Sequence, residues 1–200
     1  VLVIIAARTT RKAFAGAGSA WVFLYLSLGG VQMFRAEAVA AQVAQGRGHD
    51  PQRLTVKASF LNIVLWKSIY EHDGTYYVDA VRVAGASTYC PGTKINKLEV
   101  KRDLPYLDPA SQQAKDVARF RWFSDDYLAP WGEHGVTDVR YSVVPNQVQP
   151  MWGITLDPNA GADSHVEWWS NREARMASLD QFTAMLRGEG CIAPPNQLKN

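Results

Sequence analysis

The residues with the most chemical potential in this chain are few and scattered. Two cysteines, Cys90 and Cys191, stand far apart in the sequence. Neither belongs to a Cys-x-x-Cys motif, so a zinc site built on cysteines is not indicated. Two states are open to them. A disulfide would close a long loop, stabilise the fold by about 4 to 5 kcal/mol in the chain-entropy model, and need an oxidising compartment. Free thiols would suit a cytoplasmic domain. The four histidines are His49, His72, His134 and His165, and no two have the helical spacing of a metal-binding His-x-x-x-His pair. There is no Gly-x-Ser-x-Gly elbow and no phosphate-binding glycine loop. His134, with Glu133 and Asp138 near it in sequence, is a weak site candidate. Asp125-Asp126 is a carboxylate pair, but adjacent residues point in different directions, and the pair reads as a solvated turn after a helix. Phe120, Trp122, Phe123, Tyr127 and Trp131 could line a pocket, although that spacing more often serves core or membrane-interface packing. No reaction follows from these residues alone.

The elements that would position them begin with an apolar segment. Phe14 to Phe34, FAGAGSAWVFLYLSLGGVQMF, carries no charged side chain across 21 residues. About 20 mostly apolar residues suffice for a helix to cross a hydrocarbon core of about 30 Å, and soluble core helices are rarely apolar all round for so long. The segment is therefore expected to span a lipid bilayer. Gly16 and Ala20 would admit a neighbouring helix, but small residues are common in spanning helices and the pair alone decides nothing. Arg35 to Gly46 is rich in helix formers and should continue the helix out of the bilayer until Gly46-Arg47-Gly48 stops it. Residues 14–48 thus form one helix with a polar extension. Val1 to Ala6, VLVIIA, precedes it with no basic stretch before it, so it does not read as a signal peptide. Its expected role is the tail of an earlier spanning helix of a longer protein, with a buried strand as the alternative.

Residues 51–190 read as a soluble α+β domain, with 191–200 as a tail. Asn62–Glu71 and Thr75–Val83 are rich in β-branched and aromatic residues, and Asp73-Gly74 between them signals a two-residue hairpin turn. That turn would set Tyr70 opposite Tyr77, Trp66 opposite Val81 and Val64 opposite Val83, all on one core-facing side. His72, beside the turn, is expected to be exposed. Asp108-Pro109 reads as the start of a helix running to about Arg119. Strands are expected at 136–144, 151–156 and 166–169. Ser170 and Glu173 have capping-box spacing for a last helix in which Met176, Leu179, Phe182 and Leu186 share a face, ended by Gly188. The expected fold class is α+β: a membrane-spanning helix, then a soluble domain with an antiparallel sheet and two helices. The formal charge is only +2 with both signs mixed throughout, which gives no electrostatic footprint for nucleic acid.

Several segments resemble a known family. Phe60-Leu61-Asn62-Ile63-Val64-Leu65-Trp66, followed by Asp73-Gly74 and Tyr76-Tyr77-Val78, is similar to the soluble part of the YdjM-like family of inner-membrane, metal-dependent hydrolases. Arg119-Phe120-Arg121-Trp122-Phe123-Ser124 resembles that family's aromatic segment, and Asp138-Val139-Arg140-Tyr141 a strand after it. The resemblance extends to about Leu186. It implies that the full-length protein is a hydrolase using a divalent metal. The family's metal motif, a His-Arg followed by Thr-His-Ser, lies in its upstream membrane part, and nothing in this chain matches it. The chain would then be an accessory C-terminal domain whose partners are the lipid bilayer and the upstream spanning helices. The alternative is a non-catalytic interaction or sensing module tethered to the membrane. Arg8, Arg11 and Lys12 crowd the loop before the span, and such loops tend to stay cytoplasmic. The expectation is a bacterial inner-membrane protein with its soluble domain in the periplasm, where Cys90 and Cys191 could oxidise.

Overall fold

The computed structural model describes residues 12–171 and 178–195. Val1–Ala6, Glu173, Met176 and the end of the tail lie outside the described residues. In chain order the elements are α1 (Lys12–Gly46), β1 (Arg53–Ala58), β2 (Leu65–His72), β3 (Thr75–Val83), β4 (Ser87–Asn96), α2 (Val100–Asp103), α3 (Gln112–Phe123), β5 (Leu128–Trp131), β6 (Gly135–Asp138), β7 (Trp152–Thr155), β8 (Glu167–Ser170) and α4 (Leu179–Arg187). The class is α+β. The one expected sheet is in fact two four-stranded antiparallel sheets, ordered β1-β2-β3-β4 and β5-β6-β7-β8.

Helix α1 is a single helix of 35 residues, long and apolar enough to cross a membrane. It has two distinct halves. Phe23, Leu24 and Leu26 are 75%, 60% and 66% exposed, whereas Ala36, Val39, Ala40 and Val43 are buried. The buried set recurs at helical spacing and packs on Trp66, Val81 and Val83 of the first sheet. The C-terminal half of α1 is thus a wall of the domain. Gly48 takes φ +75° just after the helix, and the amides of Gly48 and His49 bond back to Gln45 and Ala44 at 2.9 and 3.0 Å. This satisfies carbonyls that the helix end would otherwise leave open.

The β2–β3 hairpin has the register its turn dictates. Asp73 and Gly74 both have positive φ, 49° and 66°, as a type I′ turn needs. Tyr70 pairs with Tyr77 and Trp66 with Val81, and the Val83 amide donates to the Val64 carbonyl at 2.8 Å. One face of this sheet meets α1. The other packs Ile69, Tyr76 and Val78 on Tyr127, Ala129, Val139 and Val148, and Leu65 and Ala80 on Phe182 and Met185. Covered on both faces, β2 is buried over seven of its eight residues, which is why its polar positions do not face water.

The other elements differ in extent from expectation. The helix placed at Asp108 starts at Gln112, because Asp108 forms a local turn, accepting from Ala110 N–H at 2.9 Å, and Ser111 is the true cap, accepting from Ala114 N–H at 3.2 Å. The strand expected to reach Val144 stops at Asp138, whose carboxylate turns back to Arg140. Ser170 closes β8 rather than opening a helix, and α4 starts at Leu179. It ends at Gly188 (φ 93°) and buries Phe182 and Met185. A second core of Leu98, Leu104, Val117, Phe120, Leu128, Val136, Ile154, Leu156 and Val166 joins α3 to the second sheet.

Candidate functional site

The densest group of ionisable and aromatic side chains sits where α1 ends on the first sheet. Arg47 donates from Nη1 to Asp79 Oδ2 at 2.7 Å, from Nη2 to Asp79 Oδ1 at 2.9 Å, and from Nη1 to Tyr70 OH at 3.1 Å. Asp79 is placed for this by a register irregularity between Val78 and Ala80 opposite β4, and Gly92 N–H donates to its Oδ1 at 2.9 Å. His49 Nδ1 lies 2.8 Å from Tyr70 OH. The His49 ring stacks on His72 with centroids 4.4 Å apart, and Tyr70 stacks on Tyr77 at 4.9 Å. Burial works against the Arg47 charge, but its bonds to Asp79 and Tyr70 hold it further up than usual. Burial, then the neighbouring His72 and Arg47, lower His49. This arrangement clamps the helix end to the sheet.

A second group lies on the opposite face of β2. Lys67 is 4% exposed, and its Nζ donates to Ser142 Oγ and Gln147 O at 2.8 Å and to Pro145 O at 3.4 Å. Burial pushes the amine down to about 7, against the pull of Asp138. Three oxygens match the three protons of an ammonium, so Lys67 anchors the 142–147 loop beneath the first sheet. Alternating apolar residues gave no sign of this, because the strand is covered on both sides.

The third group is the most open. His165 Nδ1 lies 2.7 Å from Asp116 Oδ2, Gln112 Nε2 donates to Asp116 Oδ1 at 3.0 Å, and Val166 N–H donates to Oδ2 at 3.3 Å. Burial works to raise the Asp116 carboxyl, but these hydrogen bonds hold it below the usual carboxylate range. With Arg119 and Trp168 the pair lines an open cleft of about 300 Å³. Nothing in the spacing of residues 49 apart in sequence pointed to it.

The remaining sequence candidates do not converge. His134 lies 3.8 Å from Glu133 and edge-on to Tyr106, while Asp138 is held by Arg140 at 2.6 Å. Asp125 and Asp126 do form a turn, with φ of 51° and 57°, and each is ion-paired: Asp125 with Arg53 at 2.8 Å, Asp126 with Lys97 and Arg121 at 2.9 Å. The aromatic series splits, with Phe120 and Tyr127 buried and Trp122 and Phe123 exposed. His72 is half-buried against His49 rather than free in solvent. Cys90 and Cys191 are joined by a disulfide across 101 residues, and Tyr89 and Ile192 pair beside it as an isolated bridge. Among the described residues, no three His, Cys, Asp or Glu side chains form a group able to hold a metal ion.

Comparison with known proteins adds no relative: no family model, no curated protein and no solved structure matches the chain.

Proposed function

We propose that this chain is a membrane-tethered accessory domain, held at a bilayer by the first half of α1 and built onto its second half. The observation that carries the reading is the division within one unbroken helix. Residues 19–28 are all exposed, while Ala36, Val39, Ala40, Val43 and Ala44 are part of the domain's core. In water the exposed half would leave a large apolar surface uncovered, a cost that lipid removes. A helix continuous through both environments also transmits the orientation of the span to the domain without a hinge.

The resemblance to YdjM-like inner-membrane hydrolases extends this proposal. The domain would be the C-terminal part of such an enzyme, with the divalent metal and its ligands in the upstream membrane part. Among the described residues, Asp116 and His165 bring two potential ligands together, and the Asp116 carboxylate is already engaged by Gln112 and Val166. The Cys90–Cys191 bond and the basic residues Arg8, Arg11 and Lys12 before the span both favour placing the domain on the periplasmic side. A non-catalytic sensing module is the second reading, favoured by the His49–His72 stack at the foot of the anchor.

Alkaline carbonate extraction of cells expressing the chain tests the tether. The chain stays with the membrane pellet if α1 spans the bilayer. Recovery as a soluble monomer without detergent contradicts the proposal. A His/Asp cluster in the helices encoded upstream supports the hydrolase reading over the sensing one.

A further inference from the structure

We infer that the tip of the domain formed by Phe60, Leu61 and Ile63 lies in the bilayer surface beside the span, so that lipid holds the domain as well as the helix. This rests on the reading of α1 as a spanning helix. The argument begins with length. Arg11 and Lys12 bound the apolar stretch on one side and Arg35 on the other. Residues 14–28, among which Gly18 is the one buried position, precede the first contact of the helix with the domain, at Gly29, and at 1.5 Å per residue they cover about 22 Å. A hydrocarbon core is about 30 Å thick. The missing 8 Å or so is about five residues of helix, which carries the membrane boundary to the level of Gly29–Met33.

At that level α1 already touches the domain. A Cβ placed on Gly29 would sit 3.7 Å from Ile63 Cγ2. Gln32 Nε2 donates to Val83 O at 2.6 Å, and Arg35 Nη2 donates to Ala84 O at 3.2 Å and Gly85 O at 3.1 Å. The chain from Ile63 through β2 therefore runs alongside α1 in the same direction, from Ile63 beside Gly29 to His72, which stacks on His49 just past the helix end. The β1–β2 loop and the β3–β4 turn form the end of the sheet that faces lipid.

The composition of that end fits. Residues 59–66 and 83–87 contain no charged side chain, whereas the opposite end carries Asp50, Glu71, Asp73 and Lys97. Phe60 is 75% exposed and Leu61 87%, the latter with a left-handed φ of 52°. The loop is a built one: Asn62 Oδ1 accepts from Val64 N–H at 2.9 Å and Leu65 N–H at 2.7 Å, and Asn62 Nδ2 donates to Ser59 Oγ at 3.2 Å. A non-glycine residue held in that strained backbone with its apolar side chain outward indicates a use for the exposure. An apolar loop at this depth is suited to the headgroup–acyl boundary.

The test is depth-dependent quenching in the full chain. Cys90 and Cys191 are bonded to each other, so Leu61→Cys supplies a single reactive thiol for a nitrobenzoxadiazole label. The protein is reconstituted into phosphatidylcholine–phosphatidylglycerol vesicles carrying a nitroxide high or low on the acyl chain. Leu24→Cys reports the middle of the span and Asp50→Cys the far end of the sheet. The expected result is about twofold quenching of the Leu61 label by the shallow nitroxide, with less by the deep one, since interfacial residues sit near the acyl boundary. The Leu24 label should be quenched most by the deep nitroxide and the Asp50 label by neither. If Leu61 is quenched no more than Asp50 while Leu24 is quenched, the helix spans and the inference about the tip is wrong. If Leu24 is not quenched either, the spanning reading itself fails and takes the inference with it.

Discussion

Arg47, the first residue past the end of α1, reaches across to Asp79 in β3 and holds both of its carboxylate oxygens, at 2.7 and 2.9 Å. Asp79 is 4% exposed in its side chain and Arg47 29%, so the two partners are not equivalent. Removing Arg47 strands a buried carboxylate with only the Gly92 N–H bond to compensate it. Removing Asp79 leaves a guanidinium that can turn towards water. Arg47→Ala is therefore expected to cost about 3 kcal/mol, and Asp79→Ala about 1 to 2 kcal/mol, measured by chemical denaturation in detergent or lipid. Equal costs would show that the asymmetry of burial does not govern this contact.

Lys67 gives a pH signature. Its folded value of about 7 lies below the unfolded value of about 10.5. Between the two, the unfolded chain binds a proton that the folded chain does not, so stability rises with pH. The contribution should grow by about 3 kcal/mol between pH 7 and 9.5 and be flat below pH 6. Lys67→Met should abolish that slope whatever its effect on absolute stability. A wild-type curve parallel to that of Lys67→Met across this range would contradict the assignment.

The disulfide reports on both stability and sidedness. Closing a loop across 101 residues stabilises by about 4 to 5 kcal/mol in the chain-entropy model. Reduction, or Cys90→Ala with Cys191→Ala, should lower the unfolding midpoint accordingly. In cells, periplasmic placement predicts that neither thiol reacts with a membrane-impermeant maleimide until a reductant is added to spheroplasts. Free thiols that are shielded until the membrane is broken would place the domain in the cytoplasm.

What the sequence disclosed followed from local rules. The β2–β3 hairpin was legible because Asp73-Gly74 fixes a turn type and the turn fixes the register. The end of α1 at Gly46 and of α4 at Gly188 followed from glycine at helix termini. The second sheet was harder to read, since its strands of four residues are too short to show a period. Of its four, β5 carried no expectation at all, and in the first sheet β1 and β4 were missed. The first carries Arg53 and Lys57 at an edge, and the second contains Pro91 and Gly92, both of which argue against a strand. The polar groups depended on tertiary contacts. No local signal marks Lys67 as buried, because nothing local shows that a second layer covers β2, and Asp116 meets His165 only through the docking of α3 on the loop before β8.

The central claim is that one helix serves two environments, and a paired substitution tests it most directly. Phe23→Asp with Leu26→Asp places two charges in the free half, each costing roughly 2.5 to 3.5 kcal/mol at the centre of a span. Val39→Asp places one in the half buried on Trp66, Val81 and Val83. The measurement is the carbonate-resistant membrane fraction of each variant beside the protease resistance of residues 51–190. The account predicts that the first variant leaves the membrane with its domain still resistant, and that the second stays in the membrane with its domain degraded. Retention of the first in carbonate, or an intact domain in the second, would contradict it.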